Sequence, residues 1–297
     1  MKKYRSVAYL FILPAVLAML FVHIIPMIWG IMISFRDLNL YTIADWTRAR
    51  FVGFDNYVKA FQDPTIASRF LMSIKNIVFF SAVNIVIGTI IALLVALLLN
   101  RKFPGRTLVR GIILIPYITP DSVVYNFWRF IFQNRIGILN EMLLRLGIVE
   151  ERVMWLVGNN SMWAVILAAF WKGWPFGALV FLAALQTIPD DLYDAAKIDG
   201  ANPWQCFRYI TWAYLKPVVG TLTMMNILWN FNAYNQFRVL FGEIQGKSTE
   251  VPATLVMTQA FNHFKYGLGS ALSVIWMLVL LTITILYLYF VRYRSEE

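Results

Sequence analysis

The residues best suited to ligand chemistry lie inside long apolar segments, where a polar side chain is costly. Asn226 and Asn230 are four residues apart and share one face of a helix. Trp229 and Ala233 lie beside them. Amides next to an aromatic ring suit a sugar, because amides bond hydroxyl groups and the ring packs against a pyranose face. Hydrogen bonding between neighbouring helices is the alternative use of these asparagines.

Lys172 is a cation in the middle of another apolar segment, within the run WKGWPF. A charge near the centre of a bilayer is costly and usually faces a cavity or a partner. Contact with a bound ligand is one interpretation, and it would favour an acidic sugar. A structural pair with a carboxylate or with carbonyl groups of a neighbouring subunit is the other, and both stay open on sequence alone.

Covalent catalysis and metal binding find no support in the sequence. The two histidines and the single cysteine, Cys206, form no cluster with carboxylates at metal-ligand spacing. The run GKS at 246–248 approaches a phosphate-binding loop, but Phe241 stands where that pattern requires glycine. We therefore predict that the chain is not an enzyme and binds no metal or cofactor itself. Any ATP and Mg²⁺ would be used by partner chains.

The elements that position these residues are predicted to be transmembrane helices. The chain has 60% hydrophobic and 14% charged residues with a mean hydropathy of +0.64, whereas soluble domains have roughly 25% charged residues. Runs of roughly 20 apolar residues can span a bilayer, and about six occur here, near 7–35, 76–99, 108–132, 161–186, 218–240 and 270–292. We expect an all-α integral membrane protein with one domain, 1–297. Some runs are interrupted by proline, at Pro14, Pro26, Pro116, Pro120 and Pro175. These prolines are either ordinary helix kinks or, near Pro116 and Pro175, breaks that help to shape a path.

Charge gives the expected orientation. The net charge of +10 could suggest nucleic acid, but the basic residues lie mostly between apolar runs, which indicates membrane-flanking loops and no nucleic-acid partner. The first apolar run is too long for a signal-peptide core, so it is expected to remain as a helix. Six spans put both termini on one side, where the short flanks are densest in lysine and arginine. We predict that this side is the cytoplasm.

A polar, amphipathic insert at 187–217 separates the fourth and fifth predicted spans. Asp190 and Asp191 suit the start of a short helix. Gly200 would end that helix, and Asn202-Pro203 would cap a second one at about 204–214. We expect Pro217 to begin the next span. Two short helices around a glycine bend form a compact docking element, whereas a loop lying on the membrane surface is the alternative.

This insert resembles the EAA signature of binding-protein-dependent ABC importer permeases. The residues that carry the resemblance are Asp194, Ala195, Ala196, Asp199, Gly200 and Ala201, followed by Phe207 and Lys216-Pro217. The pattern departs from the family at Asp194, where glutamate is usual, and at Ala213, where proline is common. Over the rest of the chain the sequence is most similar to the first-permease type of the maltose and glycerol-phosphate group.

The resemblance implies a role for each of these regions. The insert would form coupling helices that dock into a cytoplasmic ATPase. The positions that match sugar contacts in maltose-type permeases are Lys172, Gly173, Phe176, Asn226, Trp229, Asn230 and Ala233. Lys172 and Ala233 differ from the maltose-type pattern, which implies a different sugar.

The resemblance also implies the partners and the location. The chain would be the permease subunit of a sugar or oligosaccharide importer in a bacterial or archaeal cytoplasmic membrane. Its partners would be membrane lipid, a second permease, two ATPase subunits or domains and an extracytoplasmic sugar-binding protein. The alternatives are an ABC permease for a non-sugar solute and a self-sufficient secondary transporter.

Overall fold

The computed structural model describes residues 2–243 and 245–295, with side chains described for 9–243 and 245–289. Helices dominate these residues, as predicted, and within them β-structure is limited to one isolated antiparallel bridge between Arg36 and Phe51. The α-helices in chain order are α1 (Lys2–Met19), α2 (Ile25–Ser34), α3 (Asp55–Gln62), α4 (Pro64–Asn100), α5 (Arg106–Ile112), α6 (Ile115–Ile118), α7 (Asp121–Ile131), α8 (Ile138–Arg145), α9 (Ser161–Leu185), α10 (Asp190–Ile198), α11 (Pro203–Gln205), α12 (Trp212–Phe231), α13 (Asn235–Phe241), α14 (Pro252–Met257) and α15 (Tyr266–Ser295).

Long apolar helices correspond to most of the predicted spans. Within the described residues, four helical stretches are long and apolar enough to cross a membrane: Tyr9–Ser34, Pro64–Asn100, Gly158–Leu185 and Tyr266–Tyr289. Arg106–Ile118 and Asp121–Ile131 form a fifth candidate, bent by 88° at the break between them. The predicted third span is therefore a broken one.

The predicted fifth span, 218–240, differs most from expectation. Helix α12 begins earlier, at Trp212, and ends at Phe231, and α13 starts only at Asn235. Helix α12 also runs through Pro217, where the sequence suggested a new start. The expected break at Pro175 is absent as well, because α9 continues through that proline. The break expected near Pro116 is present beside the cavity, at Thr119-Pro120, where both residues have extended backbone conformations.

The chain divides into two compact units, of which the first comprises Met1–Phe70 and Leu255–Val279. Within the described part of this unit, the buried amide of Asn56 donates to the Ser34 and Arg36 carbonyls at 2.9 Å each. These two bonds tie α3 to the end of α2 and satisfy carbonyls that the helix terminus leaves open.

The second unit comprises Leu71–Thr254 and Leu280–Glu297. Its apolar core is built from α4, α9 and α12, with Phe181 and Leu215 fully buried. Small residues let α4 and α9 approach closely: a methyl group added at Gly177 would lie 3.1 Å from the Ala92 methyl carbon. This core positions α9 and α12 beside the broken helix α6–α7. The assignment of all 297 residues to one domain stays a prediction.

Candidate functional site

A cavity of about 530 Å³ opens in the second unit between the α6–α7 break, α9, and the α12–α13 junction. All the residues predicted to bind substrate line it: Lys172, Gly173, Phe176, Asn226, Trp229, Asn230 and Ala233. The two segments predicted to bind substrate, one around Lys172 and one around Asn230, therefore line the same cavity. That these residues bind a substrate stays a prediction.

Lys172 lies at the break in the α6–α7 span. Its ammonium donates to the Thr119 carbonyl at 2.6 Å and to the Tyr117 carbonyl at 3.2 Å. These carbonyls belong to the end of α6, where a helix leaves its last carbonyl groups without intrahelical donors. The lysine side chain of α9 therefore supplies donors that a continuous helix would have supplied from its own backbone.

Asp121 completes the environment of this ammonium. Its Oδ1 lies 3.2 Å from Lys172 Nζ, and its Oδ2 accepts a hydrogen bond of 3.5 Å from the Asn235 side chain. The Lys172 side chain is 16% exposed and the Asp121 side chain 44%. An ion pair within one chain thus joins α9 to the first turn of α7, and Asn235 brings α13 to the same carboxylate.

One wall of the cavity is aromatic. The rings of Tyr117 and Phe176 are stacked with centroids 5.2 Å apart, and Trp229 meets Phe176 edge-on at 5.4 Å. Trp229 remains 50% exposed. This ring arrangement presents apolar faces of the kind that pack against the C–H face of a sugar, and it is fixed by contacts among three helices.

The asparagine side chains of α12 and of the α12–α13 junction are partly used by hydrogen bonds to their own helix. The Asn230 amide donates to the Asn226 carbonyl at 2.8 Å, and the Asn232 amide donates to the Leu228 carbonyl at 2.9 Å. Each bond uses one amide hydrogen. Within the described residues the two side-chain oxygens accept no hydrogen bond, so the amides offer the cavity an acceptor as well as a second donor.

A smaller cavity of about 60 Å³ continues from this site towards α4. It shares Gly173, Asn226 and Asn230 with the larger cavity and adds Asn84 from α4. Asn84 is buried and donates to the Phe80 carbonyl at 3.0 Å. Asn226 and Asn230 therefore stand between the two spaces.

Sequence reasoning missed Tyr117 and Asp121. Tyr117 lies within the predicted third span, and its ring stacks on Phe176 inside the site. Asp121 is an acid within a predicted span, directly after Pro120, and an acid in such a place indicates a partner. That signal could have identified the carboxylate that Lys172 requires.

The 187–217 insert presents the second group of predicted residues. Helix α10 ends in a glycine cap: the Gly200 N–H donates to the Lys197 carbonyl at 3.0 Å, and the Ala201 N–H to the Ala196 carbonyl at 2.8 Å. Gly200 has φ of +80°, a left-handed conformation that other residues adopt at a cost. The predicted bend is therefore present. It favours glycine because the backbone at this position is left-handed.

Most of the α10 surface is open. Asp194, Ala195, Asp199 and Gly200 are exposed, and the Ile198 side chain is 87% exposed. Asp194 accepts a hydrogen bond of 2.9 Å from Lys197 within the same helix. This bond and the carboxylate charge raise the pKa of Lys197 above its usual value, and both groups remain in water. The exposed carboxylate and the apolar Ile198 are available to a partner.

The second half of the insert merges with α12. The predicted cap is present: Asn202 and Gln205 form a reciprocal capping box before α11. The following segment, Cys206–Thr211, is π-helical, and the Trp212 N–H donates to the carbonyl of Phe207 five residues earlier. The chain thus enters α12 without the break expected before Pro217.

Two contacts hold the insert as one body. The Tyr193 hydroxyl of α10 lies 2.8 Å from the Thr211 hydroxyl at the base of α12. The rings of Trp204 and Phe207 stack with centroids 5.6 Å apart. Tyr193 also packs against the apolar core of the second unit. The insert is therefore connected to the same core that supports the cavity.

An all-helical membrane protein with a polar cavity beside a broken span and an exposed helical insert has the architecture of a transport permease. Residues 84–295 match the family described as binding-protein-dependent transport system inner membrane component, and the chain belongs to that family. Within the described residues, no group of three or more histidine, cysteine or acidic side chains is placed to hold a metal ion.

The chain is similar to named sugar permeases. It is 34% identical to the trehalose/maltose transport system permease protein MalF of Thermococcus litoralis, over 99% of this chain and 97% of the relative. It is 29% identical to the diacetylchitobiose uptake system permease protein DasB of Streptomyces coelicolor, over 97% and 88%. The crystal structure of a bacterial ABC transporter involved in the import of the acidic polysaccharide alginate contains a chain of the same fold, with a TM-score of 0.81, 23% identity and coverage of 98% and 96%.

Substitutions at Gly200 are expected to act through the backbone alone, because a methyl group added there would meet no atom within 4 Å. Gly200→Asn should be tolerated best, Gly200→Ala should cost on the order of 1–2 kcal/mol, and Gly200→Pro should abolish the cap. ATPase activity and co-purification of the intact complex measure the effect. Equal coupling in all three variants would contradict a docking role for this bend.

Asn230→Ala is expected to slow uptake by roughly 2- to 12-fold, because a lost hydrogen bond costs about 0.5–1.5 kcal/mol net. Transport into proteoliposomes with a normal yield of complex is the measurement. Thr221→Ala is the matched control, since Thr221 is exposed, lies outside the cavity and makes a similar bond to the Pro217 carbonyl. An equal loss in both variants would assign the effect to the helix instead of the cavity.

Proposed function

We propose that this chain is the permease subunit of an ATP-driven importer that moves a sugar or oligosaccharide across a bacterial or archaeal cytoplasmic membrane. The single observation that carries the proposal is the cavity that aromatic rings and asparagine side chains line together. Rings and amides together suit a ligand with both C–H faces and hydroxyl groups. The trehalose/maltose and diacetylchitobiose names of its relatives support a carbohydrate cargo.

The proposed assembly contains a second permease, two cytoplasmic ATPase subunits or domains and an extracytoplasmic sugar-binding protein. The family description names a binding-protein-dependent system, and a structure of the same fold contains alginate pentasaccharide-bound periplasmic protein. ATP and Mg²⁺ act in the ATPases, and this chain contributes no covalent chemistry. The insert docks to an ATPase through α10 and the residues that follow it. The docking residues are Asp194, Ala195, Ala196, Asp199, Gly200, Ala201 and Phe207.

Coupling in this proposal is mechanical. Closure of the ATPases on ATP displaces the insert, and the displacement reaches α12 through the Tyr193–Thr211 bond and the packed core. Because α12 carries Asn226, Trp229 and Asn230, its movement alters access to the cavity. Both termini and the insert lie in the cytoplasm.

The function is tested by purifying the tagged chain from its host membranes in mild detergent and reconstituting the complex in proteoliposomes. We expect a second permease and an ATPase to co-purify, and we expect ATP-dependent uptake of a saccharide presented by the binding protein. Uptake of an amino acid or another non-sugar solute instead would refute the carbohydrate cargo. Uptake by this chain alone, without an ATPase, would refute the assembly.

Orientation is tested by labelling single cysteines in a Cys206→Ser background. Asp55→Cys and Lys247→Cys should react from outside with an impermeant thiol reagent. Lys102→Cys and Lys197→Cys should react only after permeabilisation. All four native side chains are exposed, so the membrane, and not burial in the protein, decides which of them is labelled. The reverse pattern would place the termini and the insert outside.

A further inference from the structure

We propose that the cavity takes an uncharged saccharide and that Lys172 positions the broken span instead of binding the cargo. This inference rests on the proposed function, since it concerns the cargo of the same cavity. It also assigns Asp121, which the sequence did not single out, as the partner that makes the lysine unavailable to an acidic sugar.

The donors of Lys172 are fully used. An ammonium group has three hydrogens, and three acceptors lie within 3.2 Å of it: the carbonyls of Thr119 and Tyr117 and the carboxylate of Asp121. A cargo carboxylate could reach the ammonium only by displacing one of these groups. Displacing a carbonyl would leave the end of α6 without its donor, and displacing Asp121 would leave an acid beside the incoming acid.

The charges that this chain contributes to the cavity are already balanced. Among the described residues that line it, Lys172 and Asp121 are the charged ones, and they form a pair. Arg238 on α13 is paired with Glu243 and does not line the space. An anionic sugar would therefore lose hydration without meeting a free cation, and it would approach Asp121, which is the more exposed member of the pair.

The neutral groups suit hydroxyl groups, which both donate and accept. Asn230 and Asn232 each give one amide hydrogen to their own helix and keep a second, and within the described residues their side-chain oxygens accept no hydrogen bond. A sugar hydroxyl can donate to these oxygens and also accept, whereas a carboxylate can only accept. The exposed ring of Trp229, held against Phe176, provides the apolar face that a pyranose requires.

The test uses the whole complex with its partner permease and ATPases in lipid nanodiscs. The probes are neutral di- to tetrasaccharides of glucose, mannose and galactose, each matched with the uronate oligomer of the same ring. Binding is measured without the binding protein, so that only the membrane cavity selects. We expect the preferred neutral probe to bind on the order of tenfold or more tightly than its uronate counterpart, because a desolvated unpaired charge is costly.

Variants separate positioning from recognition. Asp121→Asn frees the lysine charge and should reduce the preference for the neutral probe severalfold. Lys172→Met should lower the Tm of the complex, and it should reduce the uptake of every saccharide by the same factor. The double variant Asp121→Asn/Lys172→Met should recover part of the lost Tm. Lys102→Met is the matched control, since Lys102 is exposed and outside the cavity, and it should change neither quantity.

Opposite results would overturn the inference. A wild-type preference for a uronate probe, lost in Lys172→Met while the Tm stays unchanged, would make Lys172 a binding residue for an acidic cargo. If Lys172→Met does not assemble, the preference of wild type and of Asp121→Asn still decides the charge of the cargo. Binding of no saccharide of either class by an assembled, ATP-hydrolysing complex would refute the proposed carbohydrate function itself.

Discussion

The hydrogen bonds from the Lys172 ammonium to the end of α6 are the constraint on which the site depends. A span that breaks at Thr119-Pro120 and turns by 88° leaves backbone carbonyls that lipid cannot satisfy. Lys172 satisfies the carbonyls of Tyr117 and Thr119, and Asp121 compensates its charge. The same bonds fix α6 against α9, so that Tyr117 stacks on Phe176 and the aromatic wall forms.

Helices and candidate residues could be predicted from the sequence because both depend on local patterns. Apolar runs identified the long helices, and the glycine bend at Gly200 and the cap at Asn202 depend on neighbouring residues only. The two segments predicted to bind substrate do line one cavity. That success came through resemblance, since nothing in the composition of either segment says that they meet.

The helix breaks were predicted wrongly where residues distant in sequence determine the backbone conformation. Proline alone suggested interruptions at Pro116, Pro120 and Pro175, yet α9 continues through Pro175. The real break at Pro120 is the one whose carbonyls receive a donor from Lys172, more than fifty positions later in the chain. Similarly, α12 continues through Pro217, where the sequence suggested a new start. Such compensations depend on three-dimensional neighbours that no local pattern contains.

The fold does not decide the charge of the cargo. A chain from an importer of an acidic polysaccharide shares this fold at 23% identity, so selectivity must come from the few groups that line the cavity. Here the Lys172 ammonium donates hydrogen bonds to backbone carbonyl groups of its own chain, and the Asn230 amide is oriented by a hydrogen bond within its own helix. A lysine in a transport cavity is therefore no evidence for an anionic substrate until its three donors have been accounted for. In this chain the carbonyl groups at the break in the helix account for the donors of the lysine, and the aromatic rings and amide oxygens are the neutral groups that line the cavity.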